Sequence, residues 1–503
     1  MLSQVHSFVL QGIEPVSCEV EVDVADRGLP KTTIVGLPDA AVKEAIERVR
    51  SAMVNSGFPF PMSRLLVNLA PAEMKKEGPI FDLPIAVGLL LAEQAIQTDR
   101  HRRLLFAGEL ALDGRLRKVR GVINLALLCK REGLDGVVVP VENAEEAAAV
   151  GVPVYPADSL ATVVAFLNEQ TELEGPTAAS MSEATSGDGQ AVDFADIRGQ
   201  EAVKRALTVA AAGAHNAIMI GPAGTGKSLS AKALPSILPP LSRDEALEVT
   251  RIYSAVGQVP AGTSLMAHRP VRTPHHTASA VAVIGGGSVP KPGEASLAHH
   301  GVLFLDEMPE FPRAVLETLR QPLEDGCVTI SRAQSSIRFP ARFMLLAAMN
   351  PTAKGDAPTD EASQRQMDRY LSKLSGPLID RIDTHVEVPP VPYEQLSAAR
   401  MGTDSATMRR QVLAARRRQA ERQQDGVTPN AVLSGRRLDE VAPLNESARR
   451  LLKEAMTSLG LSARAYDKIR RVALTIADLA ESDTIEAEHV AEAVQYRVLD
   501  RAM

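Results

Sequence analysis

The chain has few cysteines, no long hydrophobic run and no excess of positive charge, and each shortage removes a class of protein. Its three cysteines, Cys18, Cys129 and Cys327, lie far apart and form no CxxC pair. Neither a disulfide framework nor a thiolate zinc site is therefore expected, and a reducing cytoplasm fits. No run of about 18 apolar residues occurs. The longest candidate, Leu83 to Ala95, is interrupted by Pro84 and Glu93, which predicts a buried helix. The start, MLSQVHSFVLQGIEP, has no basic segment leading into a long apolar one, so a soluble cytoplasmic protein without a membrane partner is expected. A formal charge of −7 leaves any nucleic-acid contact to local basic surface. What is present is globular stock, 45% hydrophobic and 23% charged, in a chain long enough for two or three domains.

Residues 171 to 192, TELEGPTAASMSEATSGDGQAV, are small and polar and cannot bury enough surface to offset ordering, so they read as a linker. Before it, Cys18, Val20, Val22 and Val24 alternate with Glu19, Glu21 and Asp23, the period-two pattern of a half-buried strand. Asp39 can cap a helix in which Val42, Ile46, Val49 and Met53 share one face. Strands are also expected at Leu65–Leu69 and Gly136–Val141, and helices at Pro84–Gln94 and Ile123–Glu132. Residues 1–170 thus read as a mixed α/β domain. After the linker, apolar runs at Ala217–Ile220, Gly301–Leu305 and Phe343–Met349 alternate with helical patterns, as in a parallel sheet covered by helices. Residues 193–390 form this second block. From 391 to 503 helix formers dominate, which predicts an all-α lid.

The motif GPAGTGKS, comprising Gly221, Pro222, Ala223, Gly224, Thr225, Gly226, Lys227 and Ser228, fits GxxxxGK[ST] and sits between a strand and a helix. Glycines there let backbone N–H groups curl around the phosphates of ATP. Lys227 can reach the β and γ oxygens, and the Ser228 hydroxyl can ligate Mg2+. About 80 residues on, GVLFLDE places Asp306 and Glu307 at a strand end. Asp306 would hold the water shell of Mg2+, and Glu307 would polarise the attacking water. The strand FMLLAAMN ends in Asn350, either a γ-phosphate contact or a turn residue. SGPLIDRID presents Arg381 beside Asp380 and resembles the AAA+ arginine-finger segment, which acts on a neighbouring subunit; a surface ion pair is the alternative. Arg464, in GLSARAYDKIRR, is placed like the sensor-2 arginine of AAA+ proteins, with Arg470 and Arg471 as alternatives.

Two histidine pairs, His275-His276 and His299-His300, are expected to point to opposite faces of strands and not to share a metal. The run Gly285–Gly287 reads as a hairpin tip. Arg409, Arg410, Arg416, Arg417, Arg418 and Arg422 crowd one stretch against Glu421 alone, as a solvated helix face or a phosphate-contacting stripe. No aromatic residues interleave it for base stacking.

These motifs in this order, with RTPHHTASAVAVIGGGSVPKPGEASLAHHGVLFLDEMPEF among them, resemble the magnesium-chelatase-related AAA+ family of bacterial ComM/YifB proteins over nearly the whole chain. The resemblance implies a helix-2 insert in that segment and a pre-sensor-1 hairpin at Cys327–Phe339. It also implies a homo-oligomer, a hexameric ATP-hydrolysing ring that encircles DNA and drives branch migration in homologous recombination or natural transformation. Arg332, Arg338 and His275 or His276 are the candidate phosphate contacts. GELALDGRLRKVRGVINLALLCKREGLDGVVVP resembles the ribosomal-S5/Lon-protease fold, but the chain carries Ile80 where a serine nucleophile belongs and Ile123 or Asn124 at the base position, so no proteolysis is expected. Many relatives carry a cysteine-rich insert after the sensor-1 Asn-Pro. Here NPTAKGDAPTDEASQRQMDRY has no thiolate, and no zinc is expected. A protein-remodelling ATPase or a chelatase subunit for metal insertion remains the alternative function.

Overall fold

The computed structural model describes residues 1–25, 29–176, 192–331, 336–351, 373–393, 402–423, 428–497 and 499. They fall into two compact units, Met1–Ser186 with Ser242–Ala267, and Gly187–Leu241 with His268–Met503.

The first unit is built on a mixed seven-stranded sheet. Its strands run in the order Lys31–Val35, Arg64–Ala70, Glu14–Val24, Leu2–Gln11, Leu104–Phe106, Gly136–Pro140 and Val154–Ala157. The hairpin of Leu2–Gln11 with Glu14–Val24 is antiparallel, with Val5 opposite Val20. Cys18, Val20, Val22 and Val24 all point into the core, as their alternation predicts. Asp39 caps the helix Ala40–Asn55 by accepting from Val42 N. The apolar stretch beginning at Leu83 lies in the helix Asp82–Ala92, which is buried on nearly all sides. These two helices are fastened by Arg48, which donates to both carboxylate oxygens of Asp82 at 2.8 and 2.9 Å. Cys18, Cys129 and Cys327 are free and buried.

Residues 242–267 belong to this unit, although in sequence they interrupt the second block. Their helix, Arg243–Ala255, opens with a capping box between Ser242 and Glu245. The reason for their placement lies in buried polar groups of the first unit that require partners. Asn124 exchanges hydrogen bonds with Arg251, its amide donating to the Arg251 carbonyl at 3.2 Å and its oxygen accepting from the guanidinium at 3.1 Å. Glu146 accepts from the Ser254 hydroxyl, and Gly121 N donates to Ser254 O at 3.0 Å.

The second unit holds a five-stranded sheet in the order Val271–Arg272, Val302–Leu305, Met344–Met349, Ala217–Ile220, Thr384–Glu387, parallel throughout. Alternate residues of the three central strands enter different cores. Ala217, Met219, Phe304, Leu346 and Ala348 pack on one face, and Ile218, Leu303, Leu305, Leu345 and Ala347 on the other. A sheet buried on both sides explains why these strands read as unbroken apolar runs. The described residues beyond 402 hold the helices Ser405–Gln423, Gly435–Val441, Glu446–Ser458, Ala463–Leu479 and Ala487–Gln495.

Two short hairpins complete the unit. Gly285–Gly286 pairs with Lys291–Pro292, and Cys327–Ser331 pairs with Ser336–Pro340, setting Thr329 opposite Arg338. Arg332 and the polar segment from 352 lie outside the described residues. The arginine-rich stretch is not one solvated stripe. Arg422 pairs with Asp478 at 2.7 Å, Arg418 with Asp483 at 2.5 Å, and Arg416 donates to Ala211 O, which leaves Arg409, Arg410 and Arg417 facing outward.

Candidate active site

Because the sheet is parallel, the chain leaves its strands at one edge, where open α/β sheets bind ligands. Ile220 lies beside Met349 on one side and Glu387 on the other, so the loops starting at Gly221 and Asn350 depart side by side. Leu305 lies beside Ala347, which brings Asp306 to the same edge. Glycine is required at 221 by close approach, since a Cβ there would sit 2.1 Å from the Val388 carbonyl oxygen. At Gly226 it is required by a φ of +92°, the left-handed turn into the helix Lys227–Ala233.

Lys227 curls back over its own loop. Its ammonium donates to the carbonyls of Gly221 and Pro222, each at 2.7 Å, and to Asn350 Oδ1 at 3.1 Å. Burial pushes its pKa down, and the charges of Asp306 and Glu307 oppose that shift. Ser228 Oγ donates to Asp306 Oδ2 at 2.7 Å, and Glu307 N donates to Asp306 Oδ1 at 3.0 Å. Glu307 itself has left-handed backbone, with φ 51°, a conformation that costs a non-glycine residue about 1–3 kcal/mol and clusters at functional sites. Its carboxylate lies 3.8 Å from His276 Nδ1. Six sequence-derived positions, Gly221, Lys227, Ser228, Asp306, Glu307 and Asn350, are thus brought together.

Arg381 and Arg464 are placed elsewhere. Arg381 pairs with Glu324 and donates to Pro377 O. Arg464 pairs at 3.2 Å with Asp380, the residue before Arg381, and is largely exposed. Arg470 pairs with Asp439, and Arg471 donates to Ala431 O. Neither histidine pair splays across a strand. Both lie on turns with their rings together, 4.1 Å between centroids for His275 and His276 and 4.0 Å for His299 and His300. His299 Nδ1 is occupied, accepting from Arg342 N. In the first unit, Ile80 offers its carbonyl to Gly108 N and Asn124 is spent on Arg251.

The sequence reading passed over Asn216, which precedes the strand Ala217–Ile220. Its side chain accepts from Leu345 N at 2.8 Å and donates to Arg381 O at 2.9 Å, while its N–H donates to Asp383. It also passed over Lys468, one helical turn after Arg464. This lysine is almost wholly buried, and burial pushes its pKa down to about 8 against the pull of Asp383. A lone polar residue before an apolar run was the available signal for the first, and a lysine on the inner face of an amphipathic helix for the second.

Comparison with known proteins fits this arrangement. "Magnesium chelatase, subunit ChlI" matches residues 193–396, "Subunit ChlI of Mg-chelatase" residues 20–143, and "Magnesium chelatase, subunit ChlI C-terminal" residues 402–497. Uncharacterized protein YifB of Salmonella typhimurium is 44% identical over 506 residues, spanning 100% of this chain and 98% of its own length. Competence protein ComM of Haemophilus influenzae is 44% identical over 507 residues, with the same shares. The chain belongs to the ComM/YifB-like, magnesium-chelatase-related family. Its architecture is that of an α/β multidomain, AAA+-like protein. The Magnesium-chelatase 38 kDa subunit of Rhodobacter capsulatus is 29% identical over 214 residues, which cover 39% of this chain and 59% of that subunit. Among the described residues, no helix is long and apolar enough to cross a membrane.

ATP and Mg2+, which the ComM/YifB-like family implies, fit the residues present. The Lys227 ammonium rests on loop carbonyls that a phosphate oxygen could replace as acceptor. A hydroxyl and a carboxylate 2.7 Å apart offer the hard oxygen donors that Mg2+ prefers.

Proposed function

We propose that the protein is an ATP-hydrolysing AAA+ motor that assembles as a hexameric ring in the cytoplasm and moves along duplex or branched DNA, as a branch-migration helicase in recombination or transformation. The observation carrying hydrolysis is the convergence of Lys227, the Ser228–Asp306 pair, Glu307 and Asn350 at one sheet edge. In this reading the Gly221–Gly226 backbone cradles phosphate and Lys227 grips it. Ser228 and water held by Asp306 would bind Mg2+, which supplies charge neutralisation at the β and γ oxygens. Glu307 polarises the attacking water and Asn350 orients it. Arg381 would serve the nucleotide of a neighbouring subunit after leaving Glu324. Arg464 would reach nucleotide only by releasing Asp380.

Residues 1–170 are assigned as an S5/Lon-protease-like domain without proteolytic activity, and residues 391–503 as the lid. The hairpins at 285–292 and 327–340 are the assigned DNA-facing elements, with the exposed Arg338 as a phosphate contact. The name of the relative ComM as a competence protein supports a role in transformation.

The deciding experiment is steady-state ATPase activity at several salt concentrations, without DNA and with single strands, duplex and a four-way junction, using Lys227→Ala as control. Salt-sensitive stimulation that vanishes in the control is the expected result. A second reading, a chelatase-type metal-insertion subunit, is favoured by the three ChlI family descriptions. Turnover indifferent to every DNA would overturn the motor and favour that reading or a protein client.

A further inference from the structure

The four residues Asp380 to Asp383 link the short helix Gly376–Ile379 to the strand Thr384–Glu387. Carbonyls just past a helix end have no partner in their own helix. Here every one of them is taken by a side chain, that of the buried Lys468 or Arg497 or of the half-buried Asn216. Lys468 Nζ donates to Asp380 O and, at 3.0 Å, to Ile382 O. Asn216 Nδ2 donates to Arg381 O at 2.9 Å. Arg497 donates to Ile382 O at 2.8 Å and to Asp383 O at 3.2 Å. We propose that Lys468 is a positioning residue for Arg381, gripping the main chain immediately before and immediately after it so that the helix Ala463–Leu479 sets where the guanidinium stands.

This rests on the reading of Arg381 as a finger that acts on a neighbouring subunit. The same helix reaches the segment at three points along its length. Near its start, Arg464 holds the Asp380 carboxylate at 3.2 Å. One turn later Lys468 holds the backbone. Further on, Thr475 Oγ1 lies 2.8 Å from His215 Nε2, and the other ring nitrogen of His215 lies 3.8 Å from Asp383. A shift of the helix therefore carries the backbone of residues 380–383 with it. The guanidinium, only 12% exposed, is held among the described residues by the carboxylate of the exposed Glu324 and by the carbonyl of Pro377 in the preceding helix. The arrangement fixes the root of the side chain and leaves its tip exchangeable, as a group that must swing to a partner requires.

A lysine that only fills space would be replaced by an equally long apolar side chain without consequence for turnover. Lys468→Met should lower kcat for ATP by about 10–100-fold, the cost of misplacing a reacting group by about an ångström, while affinity for ADP changes less than about twofold. The decisive readout is subunit mixing with Glu307→Gln, whose own site is dead but whose Arg381 and Lys468 are intact. Mixed assemblies should turn over ATP faster than either variant alone, because a Lys468→Met subunit keeps its own Glu307 and borrows a well-placed finger. Arg381→Ala mixed with Glu307→Gln is the reference. If that pair fails to complement, the trans-acting finger itself is wrong. If it complements and Lys468→Met does not, or if Lys468→Met retains wild-type kcat, the positioning role is overturned. Should Lys468→Met not fold, Lys468→Gln, which keeps an N–H donor, is read in the same mixing, and failure of both to fold would assign the lysine to the core alone and also overturn the proposal.

Discussion

Each unit buries an aspartate against basic side chains, and the two end on opposite sides of the ordinary carboxylate range. For Asp82 in the first unit, burial dominates and pushes the pKa up to about 6, with the Arg48 guanidinium pulling it back. For Asp383 in the second, burial pushes upward too, but contact with His215 and the charges of Lys468 and Arg471 outweigh it and hold the carboxyl well below its usual value. Burial is alike in the two, so the partners facing each group, a histidine and two cations against one arginine, decide the outcome. The first aspartate fastens two helices, a structural task that one arginine completes. The second lies two residues beyond Arg381, and the cations that keep it ionised are among those holding that backbone.

Changing the reactive edge of the second unit should produce the largest effect. Glu307→Gln is expected to cut turnover by about 10^2–10^4-fold while ATP still binds, as read by steady-state hydrolysis beside equilibrium binding. Retained turnover would remove Glu307 from the chemistry. Next in size is Arg48→Met, which leaves Asp82 buried without its cation and should destabilise the first unit by roughly 3 kcal/mol. Urea unfolding followed by hydrogen exchange resolved by unit would test this, with little change expected in the second unit. Gly221→Ala drives a Cβ against Val388 O and should cost the second unit about 1–3 kcal/mol and weaken ATP binding, measurable by calorimetry.

The smallest effect separates the two aspartates by pH. Asp82 binds its proton more tightly folded than unfolded, so its contribution to stability is fully present below the ordinary 3.8 and is lost as pH rises through about 6. Asp383 behaves in reverse, contributing above the ordinary carboxylate pKa and losing that contribution as pH falls below it. From pH 5 to pH 7 the first unit should therefore lose about 1 kcal/mol that the second does not. Asp82→Asn should flatten the slope, and an unchanged slope would show that burial does not govern this carboxyl.

The elements and the reactive edge were legible because their signals are local. Alternation at Cys18 to Val24, the cap at Asp39 and the glycine–lysine loop each depend on neighbours a few residues apart. The fate of residues 242–267 was not legible. They form an ordinary capped helix, and only the buried needs of Asn124 and Glu146, more than 100 residues away in sequence, draw them into the first unit. The histidine pairs depart from the strand expectation because the chain turns at both, and on a turn adjacent rings can meet. The arginine stretch was divided by which helical face each residue occupies, together with carboxylates such as Asp478 that lie far along the chain.

The sequence by itself marked the loop and strand ends proposed to grip phosphate and metal, because a loop that curls around phosphate needs glycines at set spacing and strand ends are marked by where apolar runs stop. It determined too that strands would be buried on both faces. Only the tertiary structure decided that Asn216, Lys468 and Arg497 converge on the backbone around Arg381. Hydrogen bonds from side chains to distant carbonyls leave no periodic trace in sequence, since a carbonyl is the same at every residue and any donor within reach can satisfy it.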